Sequence, residues 1–185
     1  INFGLRALPS EIKYFNWLGD DDLLTPNSLN LSLDRITRPD RPVMVFGGCQ
    51  YIGPSGVPLF TNNSGSWAVP LMRCGPQLVP QPGALYSREA FEKVGGLSTR
   101  YQLAFDFELF YALSQQGKVV FIPQVLAQFR WHPGSLSVSK RKRSVMEASV
   151  IRRSRLPKTV RSLSWIWEFP IIQGTYWAGV LASNR

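Results

Sequence analysis

Three consecutive carboxylates, Asp20-Asp21-Asp22, follow the apolar run Tyr14-Phe15-Asn16-Trp17-Leu18 with only Gly19 between. Adjacent carboxylates repel one another, and a hard divalent cation such as Mg²⁺ or Mn²⁺ relieves that repulsion while also holding a diphosphate. Adjacent residues on one turn cannot all point at a single ion, so the triplet does not supply three ligands. A second carboxylate, Asp106, opens a segment with helical spacing, where the helix dipole favours the ionised form. Glu108 lies two positions on and would point elsewhere on that helix. His132 is the single histidine of the chain, and neutral imidazole is a common metal ligand.

The elements that must carry these groups can be read from periodicity and breakers. Residues 12–18 read as a short buried strand. Thr25 reads as a helix N-cap and Pro26 as the first position of a helix over 26–37, which places the acids in a strand-to-helix turn. In open α/β sheets ligands bind at such carboxyl ends of strands. Residues 1–8 are weakly helical. Val43-Met44-Val45-Phe46 reads as a central strand running into a hairpin at Pro54-Ser55-Gly56, with Val57 to Phe60 returning. Residues 61–80 form a long loop that could line a site. Ser87 caps a helix over 88–94 that Gly95 ends. Phe105 to Gln116 is a helix, followed by two strands, 118–122 and 125–131, on either side of Pro123. A basic helix over about 143–154 ends at Pro157, and residues 163–182 are rich in Trp and Ile but interrupted by Glu168 and Pro170.

Composition bounds the classes. The 185 residues are 44% hydrophobic and 18% charged, enough for one globular domain with a core. The net charge of +9 favours an anionic partner. Cys49 and Cys74 have no paired spacing, which argues against a disulfide framework or a zinc site and fits a reducing compartment. The first residues do not show the charged-then-apolar pattern expected of a signal peptide, and the sequence shows no internal repeat or clear transmembrane run.

Trp17-Leu18-Gly19-Asp20-Asp21-Asp22, with Pro26 four residues beyond, resembles the metal and nucleotide-sugar motif of family 2 glycosyltransferases. Ile1 to Leu8 resembles the helix that precedes that motif. A second block runs from Pro80-Gln81-Pro82-Gly83 through Gly95-Gly96-Leu97 to Phe105-Asp106-Phe107-Glu108. A third, Val125 to His132 with Ser135 and Ser137, is similar to the family's closing strand. The resemblance covers about residues 1–140.

It implies a GT-A-like α/β fold: a mixed, mostly parallel sheet flanked by helices, lacking the N-terminal nucleotide-binding βαβ part, with a helical basic tail. Residues 1–138 would be the catalytic domain and 139–185 the tail. The implied activity is inverting, divalent-cation-dependent transfer of a sugar from a UDP-, GDP- or dTDP-sugar to an acceptor hydroxyl, in bacterial cell-surface polysaccharide or glycolipid synthesis. Asp22 and His132 are implied for the metal, Asp20, Asp21, Arg130 and Gly83 for the donor, and Asp106 for the base. Phe105 stands where the family often has a Glu before that base. Gln128-Phe129-Arg130-Trp131 is one residue short of the signature of processive synthases, which points away from processive synthesis. The acceptor would be a sugar or a lipid-linked sugar, and the setting cytoplasmic, in part at the inner face of the membrane.

A non-catalytic module that binds membrane or nucleic acid through the tail is the alternative. Trp165, Trp167, Phe169, Tyr176 and Trp177 beside many cations suit an anionic bilayer interface. Nucleic acid is disfavoured, because no nucleic-acid-binding signature accompanies the charge.

Overall fold

A computed structural model describes every residue except 73, 74, 133, 136–138, 184 and 185. Cys74 and Ser137 therefore lie outside the described residues. The chain folds as an α/β layer structure around a six-stranded sheet ordered β1-β5-β3-β6-β2, with β4 on the free half of the β3 edge. The strands are β1 Tyr14–Phe15, β2 Leu23–Leu24, β3 Met44–Ile52, β4 Pro58–Asn62, β5 Leu85–Ser87 and β6 Val119–Arg130. The helices are α1 Asn2–Ala7, α2 Ser28–Ile36, α3 Ala68–Leu71, α4 Arg88–Lys93, α5 Phe105–Ser114, α6 Arg141–Arg155, α7 Lys158–Arg161 and α8 Trp165–Ser183.

The expected mixed sheet with flanking helices and a helical C-terminus is present. Its balance is antiparallel: β3 and β6 run parallel, while β1–β5, β2–β6, β3–β4 and β3–β5 are antiparallel. For β3–β4 a short connection forces this. The turn at Pro54-Ser55-Gly56, with Gly56 at φ 83°, can only return a strand antiparallel.

β3 alternates its side chains between two cores. Met44 and Phe46 face α4 and α5, where Tyr86, Phe91, Phe107, Phe110 and Leu113 are buried. Val45 faces α2, with Ile36, Leu85, Ile122 and Leu126. Ser87 caps α4 by accepting the Ala90 N–H, and Gly95 follows it at φ 87°.

Tertiary contacts override the local reading at three places. The chain does not pass from the acids straight into a helix. Leu23 and Leu24 first pair with Gln128 and Ala127 as β2, so the acidic turn joins two strands. Thr25 is not the N-cap, and Pro26 lies before the helix. The cap position is Asn27 at φ 66°, while Thr25 Oγ1 donates to the Val125 carbonyl at 2.6 Å. The two strands expected around Pro123 are one strand. Gly47 pairs with Ile122 and Gly48 with Val125, so Pro123 and Gln124 bulge out of the ladder. Gly47 allows this, since a Cβ there would lie 2.7 Å from the Gln124 carbonyl. Finally, Glu168 and Pro170 do not interrupt the last helix. α8 runs unbroken through both, with Pro170 inside it.

Candidate functional site

The acidic turn is held against the end of β6. Asp22 is buried, at 8% exposure, and its Oδ1 accepts the Arg130 N–H at 3.0 Å. Its own N–H donates to the Gly19 carbonyl at 3.3 Å. A Cβ on Gly19 would sit 2.7 Å from Asp22 Oδ2, so the glycine lets that carboxylate fold over the turn. Burial pushes the Asp22 carboxyl above its ordinary range, and Asp21 adds to this, while the Arg130 and Gly19 backbones oppose it. Asp21 Oδ2 lies 2.8 Å from His132 Nε2. Asp20 is exposed.

Arg130 is occupied. Its Nε donates to the Asp21 carbonyl at 3.2 Å, and its Nη1 to the Gly53 and Pro54 carbonyls at 3.3 and 2.9 Å. It therefore clamps the acidic turn to the β3–β4 hairpin. Gly83, at φ 79° and buried, packs on β6, where a Cβ would lie 2.9 Å from Leu126 Cβ. The structure gives this glycine a packing reason.

Asp106 is the second residue of α5. Its Oδ2 accepts from Gln77 Nε2 at 2.8 Å and its Oδ1 from the Phe107 N–H at 2.8 Å. Burial raises its carboxyl above the usual carboxylate range, and the two hydrogen bonds hold it partly down. Crowding by the acidic turn is not a cause. Glu108 is buried and ion-paired to Arg155 at 2.7 Å, a structural use that accounts for it.

Tyr51 lies on β3. Burial pushes its hydroxyl well above the ordinary phenol range, and the charges of both Asp106 and Asp22 push the same way. Two residues back, burial takes the Cys49 thiol up to about 12, with Asp22 adding to it. Cys49 and Tyr51 are alternate residues of β3, paired with Ala127 and Phe129 of β6. The Tyr51 ring stacks on Phe60 at 4.3 Å and lies against Phe129 and Trp131.

Among the described residues no set of three or more His, Cys, Asp or Glu side chains is gathered for a metal. Mg²⁺ sites commonly use one or two carboxylates and take the remaining oxygens from water and substrate phosphates. Asp22 keeps Oδ2 clear of the Arg130 hydrogen bond, with the Asp21–His132 pair on the same turn. That donor set fits an ion shared with a diphosphate, not one caged by protein. A cavity of about 880 Å³ opens at the opposite end of the sheet, among Lys13, Arg41, Val43 and Arg88. It contains none of the expected site residues.

Sequence patterns do not single out Gln77, Tyr51 or Glu147. Gln77 falls in the loop expected to line the site. Glu147 had a signal: it is the single acid in the cationic stretch of α6.

No protein-family model matches the chain. It is 25% identical over 152 residues to an uncharacterized glycosyltransferase of Rickettsia conorii, an alignment covering 75% of this chain and 24% of that protein. A counterpart in Rickettsia felis is 24% identical over 152 residues, with the same coverage. The chain thus spans about a quarter of the length of these curated relatives. These similarities support a glycosyltransferase relationship for the chain.

Proposed function

We propose that this chain carries the diphosphate-facing and acceptor-facing parts of a family 2, GT-A-type glycosyltransferase. It moves a sugar from a nucleotide sugar to an acceptor hydroxyl with inversion, in cell-surface polysaccharide or glycolipid synthesis. The observation that carries this reading is a pair of carboxylates fixed on separate elements: buried Asp22, held by the Arg130 N–H at the end of β6, and half-buried Asp106, held by Gln77 and the Phe107 N–H at the start of α5. Transfer needs charge neutralisation at the leaving diphosphate and a base at the attacking hydroxyl. Two acids on separate elements divide those tasks, with Asp22 and the Asp21–His132 pair on the diphosphate side and Asp106 on the acceptor side. Mn²⁺ or Mg²⁺ would supply Lewis-acid neutralisation of the leaving group. Asp20, exposed at the mouth of the turn, is available to the donor ribose.

Asp22→Asn tests the assignment. Asn keeps an oxygen for the Arg130 N–H, so the fold should hold. Titration of the full-length protein with UDP-, GDP- and dTDP-hexoses, with and without Mn²⁺, should show cation-dependent donor binding weakened about tenfold or more, roughly 1.4 kcal/mol. Unchanged affinity in the presence of Mn²⁺ would remove this turn from the site.

A second surface fits a lipid-linked acceptor at an anionic bilayer. No described helix is long and apolar enough to cross a membrane. Yet Trp165, Ile166, Phe169, Trp177 and Leu181 of α8 are exposed, and helical spacing puts them on one uncharged face while Glu168 turns inward. Lys158 and Arg161 lie on the preceding α7. Such a face suits the headgroup boundary of an anionic membrane, the inner leaflet in a cell. The nucleic-acid alternative is weakened because Arg143, Arg152 and Arg155 are ion-paired to Glu147, Glu168 and Glu108. The full chain should bind phosphatidylglycerol vesicles with a blue shift in Trp emission, and Trp165→Ser with Phe169→Ser should reduce both. Duplex DNA binding without vesicle binding would reverse the choice.

A further inference from the structure

We propose that Glu147, on the basic helix α6, is a positioning residue for Asp106. This rests on the assignment of Asp106 to the reaction and extends it to the C-terminal region. α5 has no capping side chain of its own at Ala104, and uncapped donors at a helix start are costly unless another group takes them. Glu147 Oε2 reaches across from α6 and accepts the N–H groups of Gln102, Leu103 and Ala104 at 3.0, 2.8 and 3.2 Å. Its Oε1 accepts from Arg143 Nε at 3.2 Å. Burial pulls this carboxyl up, but the three backbone donors and Arg143 outweigh it, so it stays below the usual range and ionised.

The three amides end two residues before Asp106. Gathering them on one oxygen fixes where α5 starts, and so the direction in which its second residue points. α6 acts on the other support of Asp106 as well. Arg152 Nη1 donates to the Gly75 carbonyl at 3.3 Å, two residues before Gln77, whose amide holds Asp106 Oδ2. The basic helix thereby braces both segments that orient the carboxylate. Small misplacement of a reacting group costs up to about 10²-fold in rate.

The test is Glu147→Gln in the full-length protein. A neutral amide accepts more weakly from three donors, and charge-assisted bonds are roughly twice as strong as neutral ones. Turnover with the donor the protein accepts should fall about 10- to 100-fold at unchanged donor KM. Hydrogen exchange of the 102–104 amides and of the Phe107 amide should accelerate, and the NMR signals of the Gln77 side-chain amide should shift. Lys142→Gln, which removes an exposed cation of the same helix and keeps the Arg143–Glu147 pair, should leave turnover and exchange unchanged. Normal exchange at 102–104 and Phe107 in Glu147→Gln, or normal turnover despite accelerated exchange, would overturn the proposal. If the wild-type protein turns over no nucleotide sugar, the transferase reading fails, while exchange and the Gln77 signals still decide whether Glu147 orients Asp106.

Discussion

Asp106→Asn is expected to lower turnover by about 10²- to 10⁴-fold while leaving donor affinity nearly unchanged, the range that a positioned general base supplies. Asn is isosteric and can keep an oxygen on the Phe107 N–H, while Gln77 can turn its own oxygen to the new amide. What is lost is the proton acceptor. The stability effect runs the other way. The Asp106 pKa is raised by burial, so its folded value lies above its unfolded value. The favourable contribution of the protonated form is full below the unfolded value and is lost as pH rises through the folded one. At neutral pH the ionised carboxylate therefore costs stability, and Asp106→Asn should melt no lower than the wild type. The wild-type rate should rise with pH through an acid limb set by this group, above the ordinary Asp value, and the variant should lose that limb. Steady-state kinetics against pH, with a thermal melt of each protein, separates the cases. A variant with near-normal turnover would leave the base unassigned.

Arg152→Met is expected to destabilise the protein by about 3–5 kcal/mol, because it strands a buried charge. Arg152 is 2% exposed and Glu168 3%. The two form a bidentate pair, Nε–Oε1 at 3.0 Å and Nη2–Oε2 at 2.8 Å. The guanidinium also lies over the Phe107 ring, 5.9 Å from its centroid. For a chain of this size a loss of that order lowers the melting temperature by about 10 °C. The double variant Arg152→Met, Glu168→Leu removes both charges and should recover most of the loss, since a buried ion pair gains little over well-packed apolar groups. Denaturant unfolding of the single and double variants reads the difference. A single variant as stable as wild type would mean that α8 does not seal this pair from water.

Some of this structure was legible because its cause is local. The continuous apolar run of β3, the Ser87 cap and Gly95 stop of α4, the hairpin glycine and the spacing of α5 all act within a few residues, and each element stands close to where the sequence places it. The same holds for the chemistry-bearing types: Asp22 next to Gly19, and Asp106 at a helix start. Other features depend on partners far along the chain. Thr25 has the form of a helix cap, yet it serves β6, because Leu23 and Leu24 find ladder partners about a hundred residues away and the strand pairing outweighs the local signal. Pro123 looks like a break, but two glycines opposite it let the strand bulge and continue. Glu168 looks like an interruption in an apolar helix until Arg152 is placed beside it. Arg130 matches a phosphate-binding position by pattern, and only the structure shows its Nε and Nη1 also donating to backbone carbonyls. The residues that could do chemistry were thus written in type and order. Which groups hold each of them, which are engaged elsewhere, and that Glu147 reaches the start of α5 were decided only by tertiary packing, because hydrogen bonds and burial join residues that the linear sequence keeps apart.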